Sequence, residues 1–383
     1  MKYFLIAGEA SGDLHGAALM DALKVKDTGA EFRYFGGDRM QQQGGILLKH
    51  YREMAFMGGI EVLMNLRKIS HNFRRCKSEL LKFSPDVLIL IDYPGFNIKI
   101  AEFAHQNRIR VFWFIAPKVW AWKEWRVKKL KAFVDEMFTI LPFETAFFAR
   151  HQIKVHYVGN PLLDEIDEAK AKFRARDCFL RDNSLEDRPL VALLPGSRTQ
   201  EIKYMLPVMT RFAKDFPDYQ FVISGAYWLD TELYARYSAD QDIPVIYGQT
   251  YELLANAHAA LVTSGTATLE TALLKVPQAV LYKMIGGKIS YNIFRSLFLK
   301  VRYVSLPNLI LGREAVREFV MNEMRYETIL PEFRRLLADA DYRSEMATAF
   351  SELAAAMGEK GAARRAGEMM AGLLAGSRTN NSG

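Results

Sequence analysis

Eleven short runs of apolar, β-prone residues recur along this 383-residue chain with helical patterns between most of them, and this alternation constrains the fold more than any other feature. The runs in the first half are Tyr3–Ala7, Glu31–Phe35, Val87–Ile91, Val111–Ile115, Glu136–Ile140 and Lys154–Tyr157. The scheme restarts after a charged, turn-prone stretch, Arg174 to Arg188, with Leu190–Leu194, Gln220–Ile223, Val245–Tyr247, Ala260–Val262 and Gln278–Tyr282. Strands that read as continuous apolar runs are buried on both faces, as in parallel sheets covered by helices. The expectation is α/β: two doubly wound, Rossmann-like domains facing a central cleft, with ligand crevices beyond the carboxyl ends of the strands.

The first domain is expected over 1–170 and the second over 186–345. From about Leu330 the pattern is helical, and helices over 346–372 are expected to complete the first domain. Residues 376–383 read as a disordered tail. A composition of 50% hydrophobic and 25% charged residues excludes a disordered chain. Cys76 and Cys178 lie far apart without metal-ligand spacing, so neither a disulfide framework nor a zinc site is expected, and a reducing cytosol is. No apolar stretch reaches spanning length, and the five apolar residues after Met1-Lys2 are too few for a signal peptide, so membrane contact is expected to be peripheral.

Charge is unevenly divided: residues 1–160 hold 24 Lys+Arg against 16 Asp+Glu, and residues 161–383 hold 27 against 28. A basic half points to an anionic partner, whether nucleic acid, an acidic membrane or a phosphorylated substrate.

Chemistry is sought at the strand ends. After the first strand, Gly8-Glu9-Ala10-Ser11-Gly12-Asp13 is a small-residue loop opening a helix, matching neither the dinucleotide fingerprint nor a P-loop. Asp92 ends the apolar run Val87–Ile91; it is either a turn-capping residue or a general base with a raised pKa. In the second half, Leu194-Pro195-Gly196-Ser197-Arg198 and Ser264-Gly265-Thr266-Ala267-Thr268 both run from strand through glycine into helix. Ser197 with Gln200 reads as a capping box, and Arg198 at a helix start suggests an anion, a phosphate or diphosphate. Glu270 stands one turn into its helix, where it suits a ribose or simply the helix dipole. Two cradles without a Walker lysine favour a nucleotide-sugar over ATP.

Two segments suit a membrane surface or, by their aromatic and basic mixture, single-stranded nucleic acid. The first is apolar, with Met57, Ile60, Leu63 and Met64, and runs into Arg74 and Arg75; the second carries Lys118, Trp120, Trp122, Lys128 and Lys129.

Eight motifs in order now carry a resemblance: A-G-E-A-S-G-D at 7–13, F-G-G-D-R-M at 35–40, M-G-G-I-E-V at 57–62, I-D-Y-P-G-F-N at 91–97, P-K-V-W-A-W at 117–122, L-P-G-S-R at 194–198, S-G-T-A-T-L-E at 264–270 and V-S-L-P-N-L at 304–309. Over about three quarters of its length the chain resembles the lipid-A-disaccharide synthase family of inverting GT-B glycosyltransferases, which serve lipopolysaccharide assembly in Gram-negative bacteria. The resemblance implies UDP-2,3-diacylglucosamine as sugar donor, 2,3-diacylglucosamine 1-phosphate as acceptor, a β(1→6) linkage and release of UDP. It implies no cofactor, no metal and no nucleic acid, and a cytoplasmic enzyme peripherally bound to the anionic inner membrane; a homodimer is left open.

By position, Asp92 matches the family's catalytic carboxylate, Arg198 its essential arginine and Asn308 its required asparagine. Glu9, Ser11, Gly12, Lys118 and Asn308 are the substrate-binding candidates, and Gly196, Ser197, Arg198, Gly265, Thr266, Ala267 and Glu270 bind the UDP-sugar. Two positions depart from the pattern: Gly95 stands where some members have a second Asp, and Lys118 where Ser is usual. The nearest alternatives are another UDP-N-acetylglucosamine enzyme of the same fold, such as the peptidoglycan glucosaminyltransferase or an epimerase, and a basic nucleic-acid-binding protein.

Overall fold

The computed structural model describes residues 1–54, 66–121, 123–238, 242–283 and 302–379. Met57, Ile60, Leu63, Met64 and Trp122 lie outside them. Two compact units result: residues 1–161 with 359–383, and residues 162–358.

Among the described residues, unit 1 is built on seven parallel strands in the order β3-β2-β1-β4-β5-β6-β7. They are β1 (Lys2–Ala7), β2 (Glu31–Gly36), β3 (Ile46–His50), β4 (Val87–Ile91), β5 (Arg110–Phe114), β6 (Glu136–Thr139) and β7 (His156–Tyr157). Period-two alternation feeds two cores. Phe4, Ile6, Leu88, Leu90 and Trp113 pack on one face with Cys76 and Leu80, while Tyr3, Leu5, Ile89, Ile91 and Phe114 pack on the other with Leu19, Met20 and Leu23. Fully burying each such side chain contributes roughly 1.5–3 kcal/mol, which is why the central strands are apolar at every position.

Among the described residues, unit 2 repeats the plan with six strands, β10-β9-β8-β11-β12-β13. These are β8 (Leu190–Leu194), β9 (Gln220–Gly225), β10 (Val245–Tyr247), β11 (Ala257–Thr263), β12 (Gln278–Tyr282) and β13 (Glu318–Val320). In each sheet the first strand in sequence sits inside, so the connections reverse direction between β1 and β4 and between β8 and β11. Those two switch points are where open parallel sheets bind ligands.

The division differs from the expected one in three ways. The boundary falls at Pro161/Leu162, and the charged stretch from Arg174 is no linker. Arg174 donates from Nε and Nη2 to the two oxygens of Glu252, at 2.9 and 2.7 Å, and from Nη1 to Asp182 at 2.9 Å, tying the stretch into unit 2. This pairing holds the Glu252 carboxyl below its usual range. The helix Ala340–Met357 belongs to unit 2, and only the last helix, Ala362–Thr379, joins unit 1, where Ala366, Met370 and Leu374 enter the core. Gly367 lets that helix approach closely, since a Cβ there would lie 2.8 Å from that of Ala22. Residues 376–379 are therefore helix rather than tail. β3 and β13 escaped the sequence reading because both are short strands at a sheet edge, half exposed and without a continuous apolar run.

Candidate active site

At the switch point of unit 1, β1 and β4 pair through Ala7 and Ile91, so the loops that follow are neighbours. Gly8 is required there: a Cβ would fall 2.3 Å from the Tyr93 ring. Gly12 seats its helix on the sheet, with Ala7 Cβ only 3.3 Å from where its own Cβ would be. The helix Ala10–Lys26 starts without a side-chain cap after Glu9, and Ser11 is exposed in its first turn. Asp13 looks elsewhere. Its buried carboxylate accepts from the N–H groups of Gly37, Arg39 and Met40 at 2.7, 3.0 and 3.1 Å, capping the helix Asp38–Gln42. A-G-E-A-S-G-D and F-G-G-D-R-M are thus two halves of one structural joint.

Asp92 and Tyr93 both adopt left-handed backbone, with φ of +41° and +48°. This conformation costs an L residue about 1–2 kcal/mol, so the turn needs support. The buried Asn97 amide supplies it, donating from Nδ2 to the carbonyl of Asp92 at 2.7 Å and to that of Ile91 at 3.3 Å. Tyr93 adds a hydrogen bond from its hydroxyl to Met54 O at 3.0 Å. Burial pushes the Asp92 carboxyl up to about 6; the positive charge of Lys118 opposes that rise and the negative charge of Glu9 adds to it. Glu9, Asp92 and Lys118 therefore share one field at the tips of β1, β4 and β5. Burial pushes the His15 imidazole, one turn into the first helix, down to about 4, leaving it neutral at pH 7.

Lys118 is exposed on a loop held from behind. Trp120 donates its indole N–H to Glu144 Oε1 at 3.0 Å and packs edge-on against Phe143, while Glu144 Oε2 accepts from Ile140 N and Leu141 N at 3.2 and 3.0 Å. Burial pushes Glu144 up to about 7. Trp120 is therefore half-buried, with its indole N–H engaged inside the fold. Arg74 and Lys128 are exposed; Arg75 donates to Leu48 O at 2.6 Å, and Lys129 pairs with Glu102 at 3.4 Å.

The two cradles of unit 2 turn out to be unlike. The helix after β8 begins at Thr199, one residue later than Ser197 as cap would require. Glu201, not Gln200, closes it: its Oε2 accepts from Ser197 N at 2.9 Å and Arg198 N at 3.2 Å. Gly196, at φ +107°, admits that carboxylate, since a Cβ would sit 2.4 Å from it. The N–H groups of Ser197 and Arg198 are thus taken by a carboxylate of their own helix, and Gly196 shapes the loop that lets it in. Arg198 remains 69% exposed, 3.6 Å from Glu201. The helix Thr266–Leu273 differs. Gly265, Thr266 and Ala267 N–H groups take no partner among the described residues, while Ser264 donates to Val304 O at 2.8 Å and Thr268 to Gly265 O at 2.8 Å. On the same helix, burial pushes Glu270 up to about 7, aided by the charge of Glu165, with the Tyr251 hydroxyl 3.5 Å away.

Asn308 is fully buried and cannot touch substrate from its position. Its Nδ2 donates to Val316 O and Glu318 Oε1, both at 2.8 Å, and its Oδ1 accepts from Ala315 N and Val316 N at 2.7 and 3.0 Å. Glu318 also accepts from Val304 N, Ser305 N and Ser305 Oγ at 2.9, 2.9 and 2.6 Å. The S-L-P-N motif is a buried polar knot bracing the Ser264 loop through Val304, which corrects its reading as a substrate contact.

Among the described residues, no group of three His, Cys, Asp or Glu side chains is arranged to hold a metal, and no helix is long and apolar enough to cross a membrane.

A sequence model of the family described as lipid-A-disaccharide synthetase matches residues 3–371. The chain belongs to that family. The lipid-A-disaccharide synthase of Syntrophus aciditrophicus is 39% identical over 378 residues, 97% of either chain. Among solved structures, a UDP-GlcNAc 2-epimerase from Neisseria meningitidis bound to UDP-GlcNAc is 14% identical with a TM-score of 0.58, covering 93% of this chain and 99% of its own. The calicheamicin glycosyltransferase CalG4 is 14% identical with a TM-score of 0.57, covering 97% of both. These two likenesses carry the fold alone. Membership makes the chain a glycosyltransferase of lipid A disaccharide synthesis, and each unit has the parallel α/β architecture of the GT-B class.

Proposed function

We propose that the chain transfers 2,3-diacylglucosamine from UDP-2,3-diacylglucosamine to the 6-hydroxyl of 2,3-diacylglucosamine 1-phosphate, giving the β(1→6) disaccharide 1-phosphate and UDP. The observation that carries this reading is Asp92: a strand-tip carboxylate raised to about 6, beside a lysine, in a chain of this family. A base of that pKa is ionised at pH 7 yet basic enough to take a proton as a hydroxyl attacks. Asp92 deprotonates the 6-hydroxyl, whose oxygen attacks the anomeric carbon from the face opposite UDP, so one displacement inverts the centre. Lys118 suits the acceptor 1-phosphate.

On the side of the sugar donor, the diphosphate meets the open N–H groups at Gly265–Ala267 and the exposed guanidinium of Arg198. Together they stabilise charge building on the departing UDP without a metal ion. Glu270 and Tyr251 suit the ribose hydroxyls. Both substrates carry acyl chains, so the enzyme works at the cytoplasmic face of the inner membrane. The amphipathic helix Leu66–Phe83 and the helix Val127–Phe133 carry Arg74, Arg75, Lys128 and Lys129 for anionic headgroups, and the apolar segment before the first of them suits acyl chains.

The test is a transfer assay with radiolabelled acceptor and both lipid substrates. Disaccharide 1-phosphate and equimolar UDP are expected without added metal. No disaccharide, with epimerisation of UDP-N-acetylglucosamine instead, would overturn the reading.

A further inference from the structure

We propose that Tyr227 and Trp228 form a stacking platform for the nucleobase of the UDP-sugar. The proposal rests on reading unit 2 as the part that binds the UDP-sugar, and it concerns residues that none of the eight motifs contains.

Among the described residues of unit 2, these are the two large apolar side chains left exposed, 74% and 60% accessible. They are adjacent and packed edge to face, with ring centroids 4.8 Å apart. A loop with no ligand has little reason to hold two rings of this size in water, and paired exposed aromatics mark contact sites. The loop is also rigidly built. Leu229 N closes a turn onto Ala226 O at 3.0 Å, Tyr234 Oη accepts from Ala226 N at 2.7 Å, and Asp230 caps the next helix through Glu232 N at 3.0 Å.

Location selects the ligand group. The pair follows β9, which lies between β8 and β10, and the Trp228 indole N–H donates to Ser197 O at 3.0 Å, in the loop that carries Arg198. The rings therefore border the arginine assigned to the diphosphate. Tyr251, which meets Glu270, stands on the helix Thr250–Ala255 directly after β10. A ribose held by Glu270 and Tyr251 thus carries its base toward the tips of β9 and β10, where the aromatic pair waits. With its N–H engaged by Ser197, the indole has its π faces left to offer, and those suit a flat base.

The experiment is calorimetric titration of wild type, Tyr227→Ala and Tyr227→Ala/Trp228→Ala with UDP, with inorganic diphosphate and with UDP-2,3-diacylglucosamine. The expected result is a loss of UDP affinity of about tenfold or more in the double variant, a smaller loss in Tyr227→Ala, and an unchanged response to diphosphate. Both rings are exposed, so the ligand-free melting temperature should stay near that of wild type. Wild-type binding of UDP with equal affinity in both variants would overturn the platform alone. A loss confined to the diacylated UDP-sugar would assign the rings to an acyl chain and overturn the nucleobase assignment. Equal weakening of UDP and diphosphate would show a collapsed Arg198 loop and also overturn it. Failure of wild type to bind UDP would remove the reading of unit 2 itself, and the platform with it.

Discussion

The two switch points share a topology and carry opposite electrostatics. At the tip of unit 1, two carboxylates, Glu9 and Asp92, face one lysine, and Asp92 is raised to about 6. At the tip of unit 2, the carboxylate of Glu201 is bound up with its own helix start, leaving an exposed Arg198 and, at the start of the helix Thr266–Leu273, three N–H groups without a partner among the described residues. The overall charge would suggest the reverse, because the basic excess lies in residues 1–160. Many of those cations sit on helices such as Leu66–Phe83 and Val127–Phe133 rather than on the residues that end β1 and β4. Net charge thus reports on the surface a domain shows its surroundings, while local burial and helix ends decide the chemistry.

If unit 1 does the proton chemistry, Asp92→Asn should have the largest effect, a fall in kcat of about 10²–10⁴-fold. UDP-induced thermal stabilisation should survive. The variant should also be no less stable than wild type at pH 8: a carboxyl whose folded pKa is raised stabilises the fold most when protonated, and that contribution is lost as pH rises through about 6. Near-normal kcat would remove Asp92 as the base.

If unit 2 holds the leaving group, Arg198→Ala should weaken UDP by about 10–100-fold, the worth of a charged hydrogen bond, and slow turnover as well. Unchanged UDP affinity by titration would take Arg198 out of the site. Thr266→Pro sharpens the contrast between the two helix starts of this unit. Proline is tolerated at the first helical position but removes one N–H group, so the fold should persist while UDP weakens about tenfold or less. A melting temperature that UDP raises as much in this variant as in wild type would show that the open start is not the diphosphate site.

Neutralising Arg74, Arg75, Lys128 and Lys129 together should have the smallest effect on chemistry. Binding to anionic vesicles should fall by up to about 1 kcal/mol per cation, with turnover of detergent-dispersed substrates unchanged. Vesicle binding equal to wild type would break the assignment of the basic helices to a membrane.

The sheet was legible because its central strands are apolar on both faces, and Asp92 was legible as a polar residue ending such a run. What escaped were features decided by partners distant in sequence or by a shift of one residue. Asn308 reads as a polar motif residue until Val316 and Glu318 close around it. Ser197 reads as a cap until the helix starts two residues later and Glu201 takes its N–H. Trp120 reads as an exposed aromatic among cations until Glu144, 24 residues on, accepts its indole N–H. Asn97 could have been found, since it closes the I-D-Y-P-G-F-N motif within one turn of Asp92.

The central claim, that a single carboxylate at the tip of β4 takes the proton, is tested most directly by the pH dependence of kcat at saturating substrates. The prediction is an acid limb that rises through an apparent pKa near 6 in wild type and is missing from the residual activity of Asp92→Asn. A kcat that is flat between pH 5 and 7, or an acid limb that persists unchanged in the variant, would contradict it.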